Sequence, residues 1–139
     1  MRRHRVFKDE DAPWIIALAK SRYPPAFDVD AAELWVRNIV IKQPVVFLPI
    51  RTDHAFLIAL ISILPWMPGE PEASVVMVCA EDGHMYDAIH LLRVSVDWAR
   101  GRHAATWQLN SITDYDLGPI ATRLGASFLT PRYTIRLRE

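Results

Sequence analysis

The chain has 139 residues, the usual length of one domain, and its 51% hydrophobic and 23% charged residues argue against a disordered protein. Lys and Arg number 16 and so do Asp and Glu, so no bulk charge attracts a nucleic acid or an anionic membrane surface. The single cysteine, Cys79, excludes an intramolecular disulfide and a cysteine-based zinc site. We therefore expect a single domain over residues 1–139, in a reducing compartment.

The chain shows no targeting pattern and no metal-ligand pattern. The basic residues 1–5 run into the charged residues 8–11 rather than into the apolar core of a secretion signal. The longest apolar stretch, residues 55–66, is shorter than the roughly 20 residues that a membrane-spanning helix needs. None of the five histidines lies three or four residues from another. We expect a cytoplasmic protein with no membrane contact and no metal.

Hydrophobic periodicity and turn residues predict an α/β fold with a mixed sheet. The predicted elements are a strand over 3–7, a helix over 11–23, a helix over 30–43, strands over 45–50, 55–64 and 73–80, a helix over 82–101, a strand over 106–110, a short helix over 116–124, and closing strands over 126–129 and 133–137. The order is β-α-α-β-β-β-α-β-α-β, with a further β if the closing strands are separate. Antiparallel strands thus precede a strand-helix-strand crossover.

Particular residues mark the boundaries of these elements. Asp11 is expected to cap the first helix, with Pro13 in its first turn, and Asp30 to begin the second helix. Pro49 cannot donate to a ladder, so we expect it at a sheet edge or a bulge. The proline-rich segment 65–71 is predicted to be a loop.

The predicted core combines strand residues with one face of the long helix. On that helix, apolar residues recur at helical spacing: Met85, Ala88, Ile89, Leu92, Val96 and Ala99. The predicted core residues are Val46, Leu48, Phe56, Ile58, Leu60, Val76, Val78, Ile89, Leu92, Val96 and Leu109.

The end of the chain carries a further pattern. The long helix directly follows the fourth strand, and Leu109-Asn110-Ser111 leads through a short helix to Leu124-Gly125-Ala126. This order and spacing resemble the GNAT acyltransferase superfamily over nearly the whole chain. The resemblance implies transfer of an acyl group from coenzyme A to an amine, with the cofactor wedged between two splayed strands. It also implies a pyrophosphate at the amino end of the long helix, where free N–H groups and the helix dipole favour an anion.

The resemblance places the cofactor loop at residues 83–88, where only Ala88 matches the family pattern of Arg or Gln, two residues, Gly, one residue, then Gly or Ala. A register three residues earlier puts Gly83 at the middle glycine of that pattern but loses the Ala88 match. Tyr86 stands where a side chain would crowd the pyrophosphate. Negative charge beside it comes from Glu81, Asp82 and Asp87. The implied cofactor contacts are Val78, Cys79, Gly83, His84, Met85, Tyr86, Ala88 and Asn110. We expect no cofactor or, if the chain is an enzyme, acetyl-CoA or another acyl-CoA, with acetyl-CoA bound at a dissociation constant above about 100 μM.

The resemblance also implies a general base on the fourth strand and a tyrosine general acid in the last helix. Glu72 lies near the start of the predicted fourth strand and could act through a water molecule. Ala121 occupies the tyrosine position, and of the nearby Tyr115 and Tyr133 the candidate acid is Tyr133. A solvated glutamate and a buried tyrosine with a hydrated hydroxyl are the simpler interpretations of these two residues.

Two functions from different classes follow, and a third is weaker. The first is a non-catalytic GNAT-fold structural or assembly component, similar to the small GNAT-like proteins of short-tailed bacteriophages, in the host cytoplasm or the virion. Its partner subunits are expected to contact Trp66 and Met67, because Trp is enriched at interface hot spots. The alternative is an acyl-CoA-dependent N-acyltransferase of an unspecified amine. The weaker hypothesis is a nucleic-acid adaptor that uses the terminal arginines, so nucleic acid is not expected as a partner.

Overall fold

The computed structural model describes residues 3–23, 25–109 and 122–125. The strands are β1 (Arg5–Val6), β2 (Phe47–Arg51), β3 (Ala55–Leu64), β4 (Met67–Ala80) and β5 (Thr106–Leu109). The helices are α1 (Ala12–Arg22), α2 (Val29–Trp35) and α3 (Met85–Gly101), with a 3-10 turn at Asp9–Asp11 and a π-helical turn at Val36–Val40. No helix within these ranges is long and apolar enough to cross a membrane. The predicted closing strands, and most of the predicted last helix, lie outside the described residues.

One five-stranded sheet runs in the order β1-β2-β3-β4-β5. The first four strands form antiparallel pairs between neighbours. β5 pairs with β4 in parallel, from Glu72 opposite Thr106 to Val75 opposite Leu109, and α3 forms the crossover between them. The predicted mixed α/β class, with a meander followed by a strand-helix-strand crossover, is confirmed.

Helices cover both faces of the sheet. On one face, α1 and the π-helical turn pack on alternate residues of β3, namely Phe56 and Ile58. On the other face, α3 packs on Leu57 and Ala59. Because both faces are covered, the residues of β3 at 55–59 are all buried, and their sequence is continuously apolar rather than alternating.

β4 carries a β-bulge at Val76. Ile58 pairs with Met77 and Ala59 pairs with Val75, so Val76 has no paired residue on β3. The extra residue shifts the alternation of side chains along the strand. Val76 and Met77 both pack on the α1 face, whereas Val75 packs on the α3 face.

Pro49 lies in an interior strand, so its predicted place at an edge or bulge is wrong. β2 lies between β1 and β3, and Pro49 is paired with Ile58. Its carbonyl accepts the amide of Phe7 at 2.9 Å, and proline has no N–H to return that bond. The β1–β2 ladder ends at Val6, one residue before Phe7. The N–H that Pro49 lacks would therefore lie just beyond the last residue pair of the ladder.

Asp11 precedes α1 as predicted, but its side chain does not cap that helix. The carboxylate is 5% exposed and accepts hydrogen bonds from Arg5 at 2.7 and 2.8 Å, from Arg51 at 3.0 Å and from the amide of Lys8 at 2.7 Å. Arg51 also lies 3.7 Å from the ring centroid of Trp14. The hydrogen bond from Arg5 is the main reason that the pKa of Asp11 falls to about 2. This carboxylate ties β1 and β2 to the start of α1.

The second helix differs from its prediction at both ends. Asp28, rather than Asp30, is the N-cap, because its carboxylate accepts the amide three residues on at 3.0 Å. The helix then widens into the π-helical turn, whose buried residues are Val36 and Val40. Leu34, within the predicted helix over 30–43, is 61% exposed.

The segment 65–71 is not the predicted loop. Leu64 pairs with Met67, so residues 65 and 66 form a two-residue turn and β4 begins directly after it. Prolines are tolerated in the following residues because β5 pairs with β4 only from Glu72 onward, which leaves 67–71 as an edge within the described sheet. Trp66, on the turn, is 75% exposed and does not pack over the sheet.

The buried face of α3 is rotated from the predicted one. Ile89 and Val96 are half-buried, whereas Ser95 is fully buried. The Ser95 hydroxyl donates to the carbonyl of Leu92 at 2.6 Å and accepts the indole N–H of Trp107 at 3.0 Å, which satisfies it in an apolar setting. Of the predicted core, the fully buried residues are Phe56, Ile58, Val78 and Leu92, and the remaining seven are half-buried.

Candidate active site

The turn between β4 and α3, here named the α3 corner, offers backbone donors to an anion. The α3 corner consists of residues 81–87, Arg22, Thr52 and His54. Gly83 has φ +81°, a left-handed conformation that glycine adopts at little cost, and a Cβ added there would meet no heavy atom within 4 Å. His84 is the N-cap of α3 and makes no side-chain capping hydrogen bond. Because a helix leaves its first amides without intrahelical acceptors, the backbone at this turn can bind an anion.

Arg22, in the last turn of α1, pairs with Asp82. Its guanidinium contacts the Asp82 carboxylate and also donates to the carbonyl of Ala80 at 3.2 Å. The hydrogen bond from Arg22 lowers the pKa of Asp82. The Arg22 side chain is 17% exposed and that of Asp82 is 94% exposed. The partly buried guanidinium therefore pairs with a solvent-exposed carboxylate.

His54, from the β2–β3 turn, holds Glu81 and stacks on His84. The Glu81 amide donates to the His54 carbonyl at 2.8 Å, and His54 Nδ1 lies 3.1 Å from Glu81 Oε1. The imidazole rings of His54 and His84 are 3.8 Å apart between centroids and 19° from parallel. The β2–β3 turn therefore holds the loop before α3 through both backbone and side-chain contacts.

Thr52 links the same turn to α3. Its buried hydroxyl donates to Asp87 Oδ2 at 2.8 Å and accepts the amides of His54 and Ala55 at 3.2 and 3.0 Å. One donated and two accepted bonds use the full capacity of a hydroxyl group. Asp87 lies in the first turn of α3, where a negative charge interacts favourably with the helix dipole.

The three acidic residues that were expected to repel an anion, Glu81, Asp82 and Asp87, thus each have a partner in the α3 corner. Asp82 pairs with Arg22, while Glu81 and Asp87 contact the β2–β3 turn. The corner remains net negative, because three carboxylates accompany one guanidinium when the imidazoles are neutral. Tyr86 is 67% exposed on the first turn of α3, and the expected crowding of an anion by its ring stays a prediction.

The bulge on β4 is the second feature of the site. Tyr23, the C-cap of α1, donates its hydroxyl to the carbonyl of Val76 at 3.4 Å. The described pairing of β4 with β5 ends at Val75, directly before the bulge. Glu72, the candidate base, lies on the same strand, half-buried and paired with Ser62 on β3.

The predicted cofactor contacts fall into two groups. Residues 83–86 belong to the α3 corner, and Ala88 lies on the buried face of α3. Val78 and Cys79 are both fully buried and pack on opposite faces of β4. Asn110 and Tyr133 lie outside the described residues. Within the described ranges, no three His, Cys, Asp or Glu side chains are grouped so as to hold a metal ion.

The exposed hairpin turn with Trp66 and Met67 lies at the opposite end of β4 from the α3 corner. These two residues are 75% and 41% exposed. Their predicted contact with a partner subunit stays a prediction.

Sequence patterns did not identify Arg22, Tyr23, Thr52 or His54 as parts of the site. They reach it from α1 and from the β2–β3 turn, which are distant from residue 83 in sequence, so no local spacing marks them. The predicted hairpin over 45–64 was the only available signal, because the turn joining β2 to β3 lies beside the end of β4 in an antiparallel meander.

The mixed sheet, the helices on both faces and the β4-α3-β5 crossover make up the fold of GNAT acetyltransferases. No protein-family model matches the chain. No curated protein matches it either.

Solved acetyltransferase structures share this fold at low sequence identity. A predicted acetyltransferase from Clostridium acetobutylicum, solved with acetyl-CoA, superposes with a TM-score of 0.76 at 13% identity, covering 99% of this chain and 97% of that one. A ribosomal-protein-alanine N-acetyltransferase from Brucella melitensis biovar Abortus 2308 gives 0.71 at 18% identity, covering 99% and 100%. An aminoglycoside 6'-N-acetyltransferase from Acinetobacter baumannii gives 0.72 at 15% identity, covering 100% and 99%.

Proposed function

We propose that the chain is an acyl-CoA-dependent N-acyltransferase that holds the pyrophosphate of its cofactor at the α3 corner. The observation that carries this proposal is the open turn at Gly83, which leads from the bulged strand β4 into the amino end of α3. The fold shared with acetyltransferases, one of them solved with acetyl-CoA, supports it. This function was the alternative from the sequence, and the partners of the three acidic residues now favour it.

The backbone fits a pyrophosphate better than the side chains do. The amides of Gly83 and Met85 supply donors, whereas those of His84 and Asp87 already donate to the carbonyls of Glu81 and His84 at 3.0 Å. The space where a Cβ would lie on Gly83 admits phosphate oxygens. The net negative charge of the α3 corner opposes an anion, but at a solvated surface each like-charge contact costs only about 1–4 kcal/mol. Pairing with Arg22 reduces that cost for Asp82.

When bound, acyl-CoA supplies a thioester carbonyl for an amine to attack and a thiolate leaving group. The part that this chain contributes is binding at the α3 corner and a base on β4. Glu72 is our candidate to take the proton that the amine loses as the C–N bond forms, through a water molecule.

Calorimetric titration with acetyl-CoA tests the proposal. We now expect a dissociation constant of about 10–100 μM, tighter than the sequence alone predicts, because Arg22 pairs with Asp82 beside the turn. The Gly83→Ala variant is expected to bind at least fivefold more weakly, since its methyl group enters the open space over the turn. Absence of binding to the wild-type protein at millimolar acetyl-CoA would refute the proposal.

The second candidate is the non-catalytic assembly component, including the bacteriophage role expected from the sequence. The observation that favours it is the exposed apolar hairpin formed by Ile63, Trp66 and Met67, which are 59%, 75% and 41% exposed. This candidate predicts no acetyl-CoA binding, together with self-association or partner binding that Trp66→Ala abolishes while the fold stays intact. Light scattering and thermal unfolding, measured on the wild-type protein and the Trp66→Ala variant, would distinguish this assembly component from the enzyme.

A further inference from the structure

The bulge at Val76 interrupts β4 in the middle of the sheet. Its neighbours Val75 and Met77 pair with Ala59 and Ile58 on β3, and Val76 itself has no paired residue there. A backbone carbonyl left without a hydrogen bond in a buried setting costs about 1–3 kcal/mol. Val76 is half-buried, so a group that donates to its carbonyl is expected to stabilise the bulge.

Tyr23 is placed to do this by two independent contacts. Its amide donates to the carbonyl of Ala19 at 3.0 Å, which ends α1. Its ring packs against Phe27 with the centroids 5.5 Å apart. With the backbone and the ring both fixed, the hydroxyl donates to the Val76 carbonyl at 3.4 Å. The end of α1 thus contacts the bulge directly.

Because of the position of Val76 along β4, its contact with Tyr23 bears on how a cofactor lying along that strand would bind. Val76 lies between Glu72, the candidate base, and Ala80, where β4 meets the α3 corner. In an acyl-CoA, the extended pantetheine arm separates the acyl group, at one end of the molecule, from the pyrophosphate near its middle. A cofactor anchored at the α3 corner and lying along β4 therefore directs its acyl end toward Val76.

We propose that Tyr23 is a positioning residue, which fixes the β4 bulge through the Val76 carbonyl and thereby the strand segment that receives the acyl group. The acyl half of this inference rests on the proposed function. The first half, that Tyr23 fixes the bulge, concerns the chain alone and is measurable without any cofactor.

The Tyr23→Phe variant removes the hydroxyl and keeps the ring contact with Phe27. Ser21→Ala is the matched control, because it removes a hydroxyl from the same end of α1 whose only described bond, of 2.6 Å, goes to Leu18 of the same helix. Hydrogen exchange of the segment 72–80 is measured in cofactor-free protein. Calorimetry then compares acetyl-CoA with free coenzyme A, two ligands that differ only in the acetyl group.

We expect Tyr23→Phe to accelerate exchange in the segment 72–80 by about three- to tenfold, as loss of one net hydrogen bond would. It is expected to weaken acetyl-CoA binding by a similar factor and to change coenzyme A binding less than twofold. Ser21→Ala is expected to change neither quantity.

The possible outcomes separate the inference from the proposed function. Unchanged exchange in Tyr23→Phe overturns the bulge contact. Equal weakening of both ligands overturns the acyl half, since it would show a general loss of structure. If the wild-type protein binds neither ligand, the proposed function fails, and so does the inference that Tyr23 positions the segment that receives the acyl group. The exchange data alone then decide whether Tyr23 fixes the bulge.

Discussion

Replacing Asp11 by asparagine tests how much the buried carboxylate contributes to stability. The variant keeps the shape of the side chain but removes the charge that accepts hydrogen bonds from Arg5 and Arg51. Breaking a buried ion pair costs about 3–5 kcal/mol, and we expect about 2–4 kcal/mol here because the Arg5 side chain is 45% exposed. For a chain of this length, that corresponds to a fall in the melting temperature of about 6–15 °C.

The pH dependence of this loss makes the test specific. The pKa of Asp11 is lowered from 3.8 to about 2 in the folded protein. A lowered carboxyl pKa stabilises the fold fully above the unfolded value and no longer does so once the pH falls through the folded value. The shift is worth about 2 kcal/mol, which is lost between about pH 4 and pH 2.

Thermal unfolding followed by circular dichroism from pH 7 to pH 2.5 measures both effects. We expect the difference in melting temperature between wild type and Asp11→Asn to be constant above pH 5 and to shrink below pH 4. Asp9→Asn is the control, because Asp9 is an exposed acid in the same 3-10 turn. A difference below about 0.5 kcal/mol at pH 7, the usual range for surface substitutions, or one that does not vary with pH, would refute the reasoning.

Three further predictions concern the α3 corner and the hairpin turn. Gly83→Ala is expected to lower stability by about 1–2 kcal/mol in urea unfolding, because alanine resists the left-handed backbone, whereas Gly101→Ala, without positive φ, is expected to cost nothing. Asp82→Asn is expected to strengthen acetyl-CoA binding about three- to tenfold by removing an acid beside the turn, as measured by calorimetry. Asp97→Asn, the matched exposed acid far along α3, is expected to leave that affinity unchanged. Trp66→Ala is expected to shift the calorimetric melting temperature by less than about 2 °C, because its ring is 75% exposed, and a larger loss would show that the ring packs on its own domain.

The order of the elements was predictable because it depends on apolar periodicity, which is local. The helix over 85–101 and the run of buried residues at 55–59 both have strong patterns, and both were found close to their predicted bounds. The parallel crossover from β4 to β5 followed from the intervening helix, since a short turn cannot join parallel neighbours.

The errors arose where tertiary contacts decide the local structure. The segment 65–71 forms part of β4 because its prolines fall on an edge, and only the sheet order shows where that edge is. Ser95 is buried because Trp107, from the next strand, donates to it. The partners of Asp11 come from both β1 and β2, so the sequence near residue 11 could suggest only a helix cap.

The candidate site was only partly predictable for the same reason. The start of α3 was predicted to within three residues, at 82 rather than Met85, because the turn at Gly83 follows an apolar strand and precedes an amphipathic helix. The neutralisation of Asp82 by Arg22 and the Tyr23 contact at Val76 join residues more than fifty positions apart. Charge arguments from sequence therefore could not include Arg22, which lies beside Asp82.

Because β1 stops pairing with β2 beside Pro49, it contributes few contacts, and this affects the order in which the sheet assembles. Pairing within β2, β3 and β4 joins neighbours in the chain and closes short loops, so this meander can form first. β1 must instead close a loop that contains both α1 and α2, and it gains only two residue pairs with β2. The first strand is therefore expected to dock late in folding and to detach early when the amino terminus is pulled. The Asp11 carboxylate, rather than the ladder, then sets the force at which it separates.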